Sequence, residues 1–272
     1  MSKSGNFYLL GGRELRLAGA LIGLIFLSGA AYVLWLPDVS GLKTKNPTET
    51  SYMRIRTLQA KAQGKKAERQ FYWTPWDGIS ENLKHAVLVA EDGGFYQHKG
   101  VDWESTLQAL KTDWKKRRFA NGGSTITQQV ARNLYLSPSK NPLRKIKEIL
   151  IARRLESELG KRRIFEIYLN VAEWGKGIYG AQAAAEAYFG KNASDLTPEE
   201  GAALAAALPS PRRYNPAGGT RFMERRIGTI VARMRASGYL PEETDDGLLD
   251  ENEVTGSTET AATPQAAPET TP

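Results

Sequence analysis

Between Leu17 and Leu36 the chain runs for twenty residues without a charge, from Leu-Ala-Gly-Ala-Leu-Ile-Gly-Leu through Tyr-Val-Leu-Trp-Leu. At about 1.5 Å per residue, a helix of that length crosses the ~30 Å hydrocarbon core of a bilayer. A cleavable signal peptide has a shorter apolar region of ~7–15 residues followed by a small-residue cleavage site. Here Pro37 and Asp38 follow at once, so residues 17–36 are read as an uncleaved transmembrane helix. Lys3, Arg13 and Arg16 precede the span and favour a cytoplasmic amino terminus over residues 1–16, with Tyr32 and Trp35 suited to the far interface. Lys43 and Lys45 beyond the span weaken that asymmetry without reversing it. The body of the chain is therefore expected outside the cytoplasm.

The other end is different. Residues 241–272 hold nine acidic residues, no basic ones, and a run rich in Thr, Ala, Pro and Glu, a composition that cannot bury enough apolar area to order itself. It is read as a disordered acidic tail. Taking its nine negative charges away from the formal +7 leaves +16 on the rest. So basic a body implies an anionic partner, and phospholipid headgroups, a pyrophosphate-bearing lipid and nucleic acid all satisfy that condition. The chain has no cysteine, which fits an oxidising compartment where no disulfide was needed.

The middle reads as mainly α. Ile79, Leu83, Ala86, Val87 and Ala90 recur at helical spacing until Gly93-Gly94 stops the pattern just past Glu91. Asn141-Pro142 opens a helix whose apolar face is Ile146, Leu150, Ile151 and Leu155, and the segments 162–170, 181–188 and 198–208 continue in the same style. Strand-like alternation is scarce. Residues 37–70 are read as a linker and 71–240 as the folded domain.

Two glutamates sit in unusually dense surroundings. Glu91 opens Glu-Asp-Gly-Gly-Phe-Tyr-Gln-His-Lys-Gly, where the glycine break, Phe95 and His98 suit the mouth of a restricted pocket. Glu148 closes Arg144-Lys145-Ile146-Lys147-Glu148, and Lys140 adds to its cations. An i,i+4 ion pair alone accounts for one cation and contributes only ~0.2–0.5 kcal/mol. Between them runs Gly-Gly-Ser-Thr-Ile-Thr-Gln-Gln from Gly122 to Gln129. Thr125 and Gln128 fit a capping box at a helix start, itself a place where free amides attract anions. Gln128 and Gln129 also suit hydrogen bonding to sugar hydroxyls and acetamides. Trp103, Leu107, Leu110 and Trp114 share one helical face ahead of Lys115-Lys116-Arg117-Arg118, a combination suited to core packing or to lying in a headgroup layer. His85 and His98 have no metal-ligand spacing, and His98 is read as a structural hydrogen-bonding group.

These motifs resemble, in order, those of the peptidoglycan glycosyltransferases. Glu-Asp-x-x-Phe-x-x-His-x-Gly is matched by Glu91, Asp92, Phe95, His98 and Gly100. Gly-x-Ser-Thr-Ile-Thr-Gln-Gln is matched by Gly122 to Gln129, Arg-Lys-x-x-Glu by Arg144, Lys145 and Glu148, and Lys-x-x-Ile-x-x-x-Tyr-Leu-Asn by Lys161, Ile164, Tyr168, Leu169 and Asn170. Gly180 and Tyr188-Phe189-Gly190-Lys191 complete the pattern. Arg132 stands where the family commonly has lysine and Lys140 where it commonly has arginine, which keeps charge but alters reach and fork geometry.

The resemblance implies a lysozyme-like bilobal glycosyltransferase domain behind one transmembrane helix, in the family's monofunctional form. It implies an enzyme of the inner (cytoplasmic) membrane with a periplasmic catalytic domain, polymerising lipid II into uncrosslinked glycan strands with inversion and release of undecaprenyl diphosphate. Glu91 would be general base. Glu148 would act on the pyrophosphate side, either orienting cations or helping hold a divalent metal such as Mg or Mn, and both readings stay open. Ser124, Thr125, Gln128, Gln129, Arg132, Lys140, Arg144 and Lys145 would bind substrate, and Trp103, Leu107, Leu110 and Trp114 would touch the membrane. No organic cofactor is expected. Expected partners are lipid II, the lipid-linked glycan strand, the membrane and division or cell-wall synthesis proteins. With only a tail after Tyr239, no crosslinking domain is expected. A lysozyme-like lytic enzyme would share the fold and one glutamate but leave the cations unexplained. A membrane-anchored scaffold or nucleic-acid binder is favoured by net charge alone, and no nucleic-acid motif is present.

Overall fold

The computed structural model describes residues 12–104, 106–108, 123–139 and 141–242. Leu110, Trp114, the basic run 115–118, Gly122, Lys140, the residues before 12 and those after 242 lie outside the described residues.

Helix α1 covers Gly12–Leu34, within which Arg16–Leu34 is apolar and long enough to cross a membrane. It stops two residues before Leu36. Trp35 still bonds back to Ala31, but the residue before Pro37 is pushed out of the helical region. Almost the whole helix is solvent-facing, with Phe26 and Trp35 fully presented. Its last turns lie against a later helix (Pro142–Glu158), where Leu143 approaches Gly29 and the Lys147 ammonium sits 4.2 Å above the Tyr32 ring.

Residues 37–70, expected as a linker, are built into the fold. They carry helix α2 (Ser51–Ala62), capped by the Thr50 hydroxyl accepting from the Met53 amide at 3.1 Å. Val39 and Met53 are buried. Their apolar content is too sparse for periodicity to reveal, because α2 buries one residue in twelve.

The body is helical. Helices α3 (Glu81–Glu91), α4 (Ile126–Tyr135), α5 (Pro142–Glu158), α6 (Lys161–Val171), α7 (Ala181–Phe189), α8 (Pro198–Ala207) and α9 (Arg221–Ala236) enclose one continuous apolar core. One group is α3, α8 and α9; another is α4, α5 and α6. Close approach of α8 to α3 follows from its alanine-rich sequence. A Cβ on Gly201 would stand 3.0 Å from the Asn82 carbonyl, so any larger residue there would press the two backbones apart. Ile79 lies just ahead of α3, buried but outside the helix, and Ser80 caps it. On α5, Ile151 and Leu155 are buried, whereas Ile146 is exposed and Leu150 partly so, because the first turns of α5 face α1 rather than the core.

A small sheet interrupts the helices, β1 (Gln70–Phe71) pairing parallel with β3 (Ile178–Tyr179), which pairs antiparallel with β2 (Glu173–Gly175). Strands of two or three residues are too short to show alternation. The turn into β3 needs Gly177, at φ +77°, where a Cβ would meet the Glu68 carbonyl at 2.4 Å.

Candidate active site

Glu91 is the last residue of α3, and Asp92 follows as its C-cap. The chain is held here by a buried polar frame. Asp92 accepts from the Ile126 amide at 2.9 Å, the first amide of α4, and its carboxylate also meets His98 Nε2 at 2.9 and 3.1 Å. A carboxylate at a helix amino terminus is favoured by the free amides and the dipole there. Lys161, opening α6, donates to the His98 carbonyl and to Glu156, each at 2.7 Å, and lies 4.4 Å over the Phe95 ring. Asn170, fully buried, clamps Thr74 through two hydrogen bonds of 2.7 and 2.9 Å. His98 and Lys161 thus hold the loop after Glu91, and Asn170 the segment at Thr74.

Glu91 itself is oriented by a relay. Tyr168 donates to Gln129 Oε1 at 3.3 Å, which fixes that amide so that Nε2 donates to Glu91 Oε2 at 2.8 Å. The other oxygen, Oε1, has no hydrogen bond among the described residues. Burial raises the Glu91 carboxyl above the ordinary range, Asp92 adds to this, and the Gln129 bond with Arg226 and Arg132 pulls it partly back. Burial, then the nearby Glu91 charge, pushes the Tyr168 phenol well up, so it stays a donor.

Glu91, Ser124 and Arg233 line a cavity of about 230 Å³. It shares Gly93, Gly94 and Asp102 with a larger one of about 660 Å³ that reaches His98, Trp103 and Arg153. Trp103 and Leu107 are exposed, at 61% and 53%.

Helix α4 starts as the sequence predicts. The Thr125 hydroxyl accepts from the Gln128 amide and the Gln128 side chain accepts from the Thr125 amide, both at 3.2 Å. Thr125 also donates to the Gly100 carbonyl at 2.7 Å, and both residues are buried. These polar atoms serve the frame, and Ser124 and Thr125 line the Glu91 cavity. Gln129 is placed on Glu91 rather than open to a sugar.

Glu148 is completely buried on α5. Arg144 Nη1 donates to its Oε2, and Lys145 Nζ to its Oε1 at 2.6 Å. Lys145 also donates to Ser124 Oγ at 2.8 Å and to Gln128 Oε1 at 3.2 Å, while Arg144 Nε is held by the Ser139 carbonyl at 2.6 Å. Ser124 therefore touches both centres: it lines the Glu91 cavity and bonds the cation of the Glu148 cluster. Lys147 turns away to Tyr32. Arg132 makes no bond to Glu148; its charge acts on Glu91 and Tyr168, and its Nε is buried without a partner.

A divalent metal on Glu148 does not fit this arrangement. Both carboxylate oxygens are taken by cations, and among the described residues no group of three or more His, Cys, Asp or Glu could hold a metal.

Sequence reasoning left Tyr168 without a role and did not reach Arg226 or Arg233. Both arginines lie on α9, more than 130 residues after Glu91, and Arg233 donates to the Val89 carbonyl at 3.4 Å. Only the packing of α9 on α3 brings them there.

Comparison with known proteins bears on the whole arrangement. A family model described as "Transglycosylase" matches residues 57–235. A "Biosynthetic peptidoglycan transglycosylase" of Dechloromonas aromatica is 43% identical over 83% of this chain and 97% of its own length. Proteins of that name from Aromatoleum aromaticum and Thiobacillus denitrificans are 46% and 41% identical, covering 76% and 85% of this chain and 91% and 96% of their own.

Proposed function

This chain belongs to the transglycosylase family, and on that premise we propose that it polymerises lipid II, with Glu91 as general base and the Arg144–Lys145–Glu148 cluster receiving the diphosphate that leaves. Its activity is peptidoglycan glycosyl transfer, which builds glycan strands.

The observation that carries the residue assignment is the placing of Ser124 between a half-buried carboxylate with one free oxygen and a preformed cation cluster. Transfer to a sugar hydroxyl needs a base within ~2.6–3.2 Å of the proton. Glu91 Oε1 takes that proton as the hydroxyl oxygen attacks the anomeric carbon of the donor. The bond from that carbon to the diphosphate oxygen breaks, and its electron pair leaves with the diphosphate. Attack from the opposite face inverts the centre, and no covalent enzyme intermediate is formed. Lys145 and Arg144 are fixed by their bonds before charge develops, which is the condition under which electrostatic stabilisation is most effective.

The apolar helix α1 fits a membrane anchor. In this reading the anchor crosses the inner membrane with its amino terminus in the cytoplasm, and the catalytic domain faces the periplasm. Two observations support a site close to the bilayer: α1 lies against α5, which carries the cluster, and Trp103, which lines the larger cavity, stands exposed. A lytic reaction would use the same glutamate, as an acid toward the leaving sugar oxygen, but has no need of the cations.

Purified full-length protein incubated with labelled lipid II tests the reading by product size. Long polymer sensitive to muramidase is expected from the wild type and none from Glu91→Gln. Fragments released from finished wall, with no polymer from lipid II, would overturn it.

A further inference from the structure

We propose that a basic groove crossed by Arg56, Glu173 and Arg212 is a second binding site, which holds the carboxylates of peptides on the nascent glycan strand. The inference rests on the polymerase reading above. Two cavities, of about 350 and 370 Å³, meet at these three side chains, and neither shares a residue with the cavity of Glu91.

The groove is one-sided in charge. Lys65, Lys66, Arg69 and Lys176 line the first chamber and Arg213 the second, against Glu68 and the central Glu173. Arg69 is paired with Glu49, but Lys66 and Lys176 have no partner among the described residues. At the waist the pairing is loose: Arg56 Nε lies 3.4 Å and Arg212 Nε 3.7 Å from the two oxygens of Glu173.

A buried donor points to an absent acceptor. Tyr179 is 2% exposed, lines the first chamber, and has a hydroxyl without a hydrogen-bond partner. Buried donors left unsatisfied are rare and costly, so a ligand oxygen is the simplest complement. Burial holds the Glu173 carboxyl above the ordinary range, against the pull of Arg56 and Arg212.

The spread of the charge selects the ligand. The Arg144–Lys145 cluster focuses its donors on one point, as a compact diphosphate requires. Here cations are strung along two chambers, and Pro209, Pro211 and the Tyr179 ring give flat apolar walls. Such a groove fits separated negative charges on an extended polymer. A peptidoglycan strand has them, since each attached peptide ends in a free carboxylate.

The test uses full-length protein in detergent with preformed, uncrosslinked strands, so that binding is read without catalysis. Strands bearing peptides should bind at least ~10-fold more tightly than the same strands stripped by an amidase. Lys66→Gln/Lys176→Gln, which removes two unpaired surface cations, should abolish most of that preference, and Arg212→Gln should do the same. Lys61→Gln, outside the groove, should leave it intact. Equal binding of stripped and intact strands, or a preference untouched by the double variant, overturns the proposal. So does displacement of the strand by inorganic diphosphate at low concentration, which would mark a phosphate site. Polymerisation of lipid II, assayed on the same preparation, separates failure of this inference from failure of the polymerase reading.

Discussion

Glu91 is kept in a setting that costs stability and serves chemistry. Its folded carboxyl titrates above the ordinary value, so at neutral pH its ionised form is disfavoured in the folded state relative to the unfolded one. Removing that charge relieves the cost. Glu91→Gln should therefore lose ~10²–10⁴-fold in rate while its thermal midpoint holds or rises, because the amide can still accept from Gln129 but cannot take a proton. Retention of more than about a tenth of the rate would remove Glu91 from the role. The same shift sets the acid side of the pH profile: the base must be ionised, so the rate should fall as pH drops through a value above 4.5. Glu148 is the opposite case, a buried carboxylate fully paired. Arg144→Gln leaves it with one cation and should destabilise the fold by roughly 3–5 kcal/mol. Lys145, more exposed at 38%, should instead show its loss chiefly in turnover, by at least ~10-fold. Parallel melting and rate measurements on these two variants separate the roles. Both glutamates stand out in the sequence because the residues flanking them form dense local motifs. Tyr168, Arg132 and Arg226 act on Glu91 across the packing of separate helices, and no local pattern encodes that.

At the scale of elements, helix starts were more legible than the relations between helices. Asn141 and Thr125 each cap the helix that follows, with a capping box at the latter, because cap chemistry is complete within four residues. The sheet and α2 were missed for the reverse reason: a strand of two residues and a helix burying one side chain carry almost no periodic signal. The Thr125 cap also has reach beyond its helix, since its hydroxyl holds the Gly100 carbonyl and its Gln128 partner holds Lys145. Thr125→Ala should cost about 1 kcal/mol from the lost cap and more from the freed Gly100 carbonyl. It should also lower turnover, by loosening Lys145. A stability loss with unchanged kinetics would confine Thr125 to a structural part.

For the whole molecule, the question is how far the anchor and the acidic end govern contact with the bilayer. Helix α1 supplies no residue to the core, which begins at Val39, so residues 37–272 should fold without it. Residues 1–36 carry +2 of the formal +7, and residues 243–272 carry eight acidic side chains and no basic one, so residues 37–242 alone are strongly basic at +13. Anionic lipid attracts a basic surface by roughly 1 kcal/mol per cation near it, and a covalently attached acidic segment weakens that field within a Debye length of ~10 Å. Protein lacking α1 should therefore bind vesicles of anionic lipid weakly, and more tightly once residues 243–272 are also removed, with the gain fading as salt is raised. Neutral vesicles should show no such gain. Co-sedimentation of the 37–272 and 37–242 proteins at low and high salt measures both effects. If the shorter protein bound anionic vesicles no better, the acidic end would not be screening the basic body, and attachment to the membrane would fall to α1 and the exposed Trp103 and Leu107 alone.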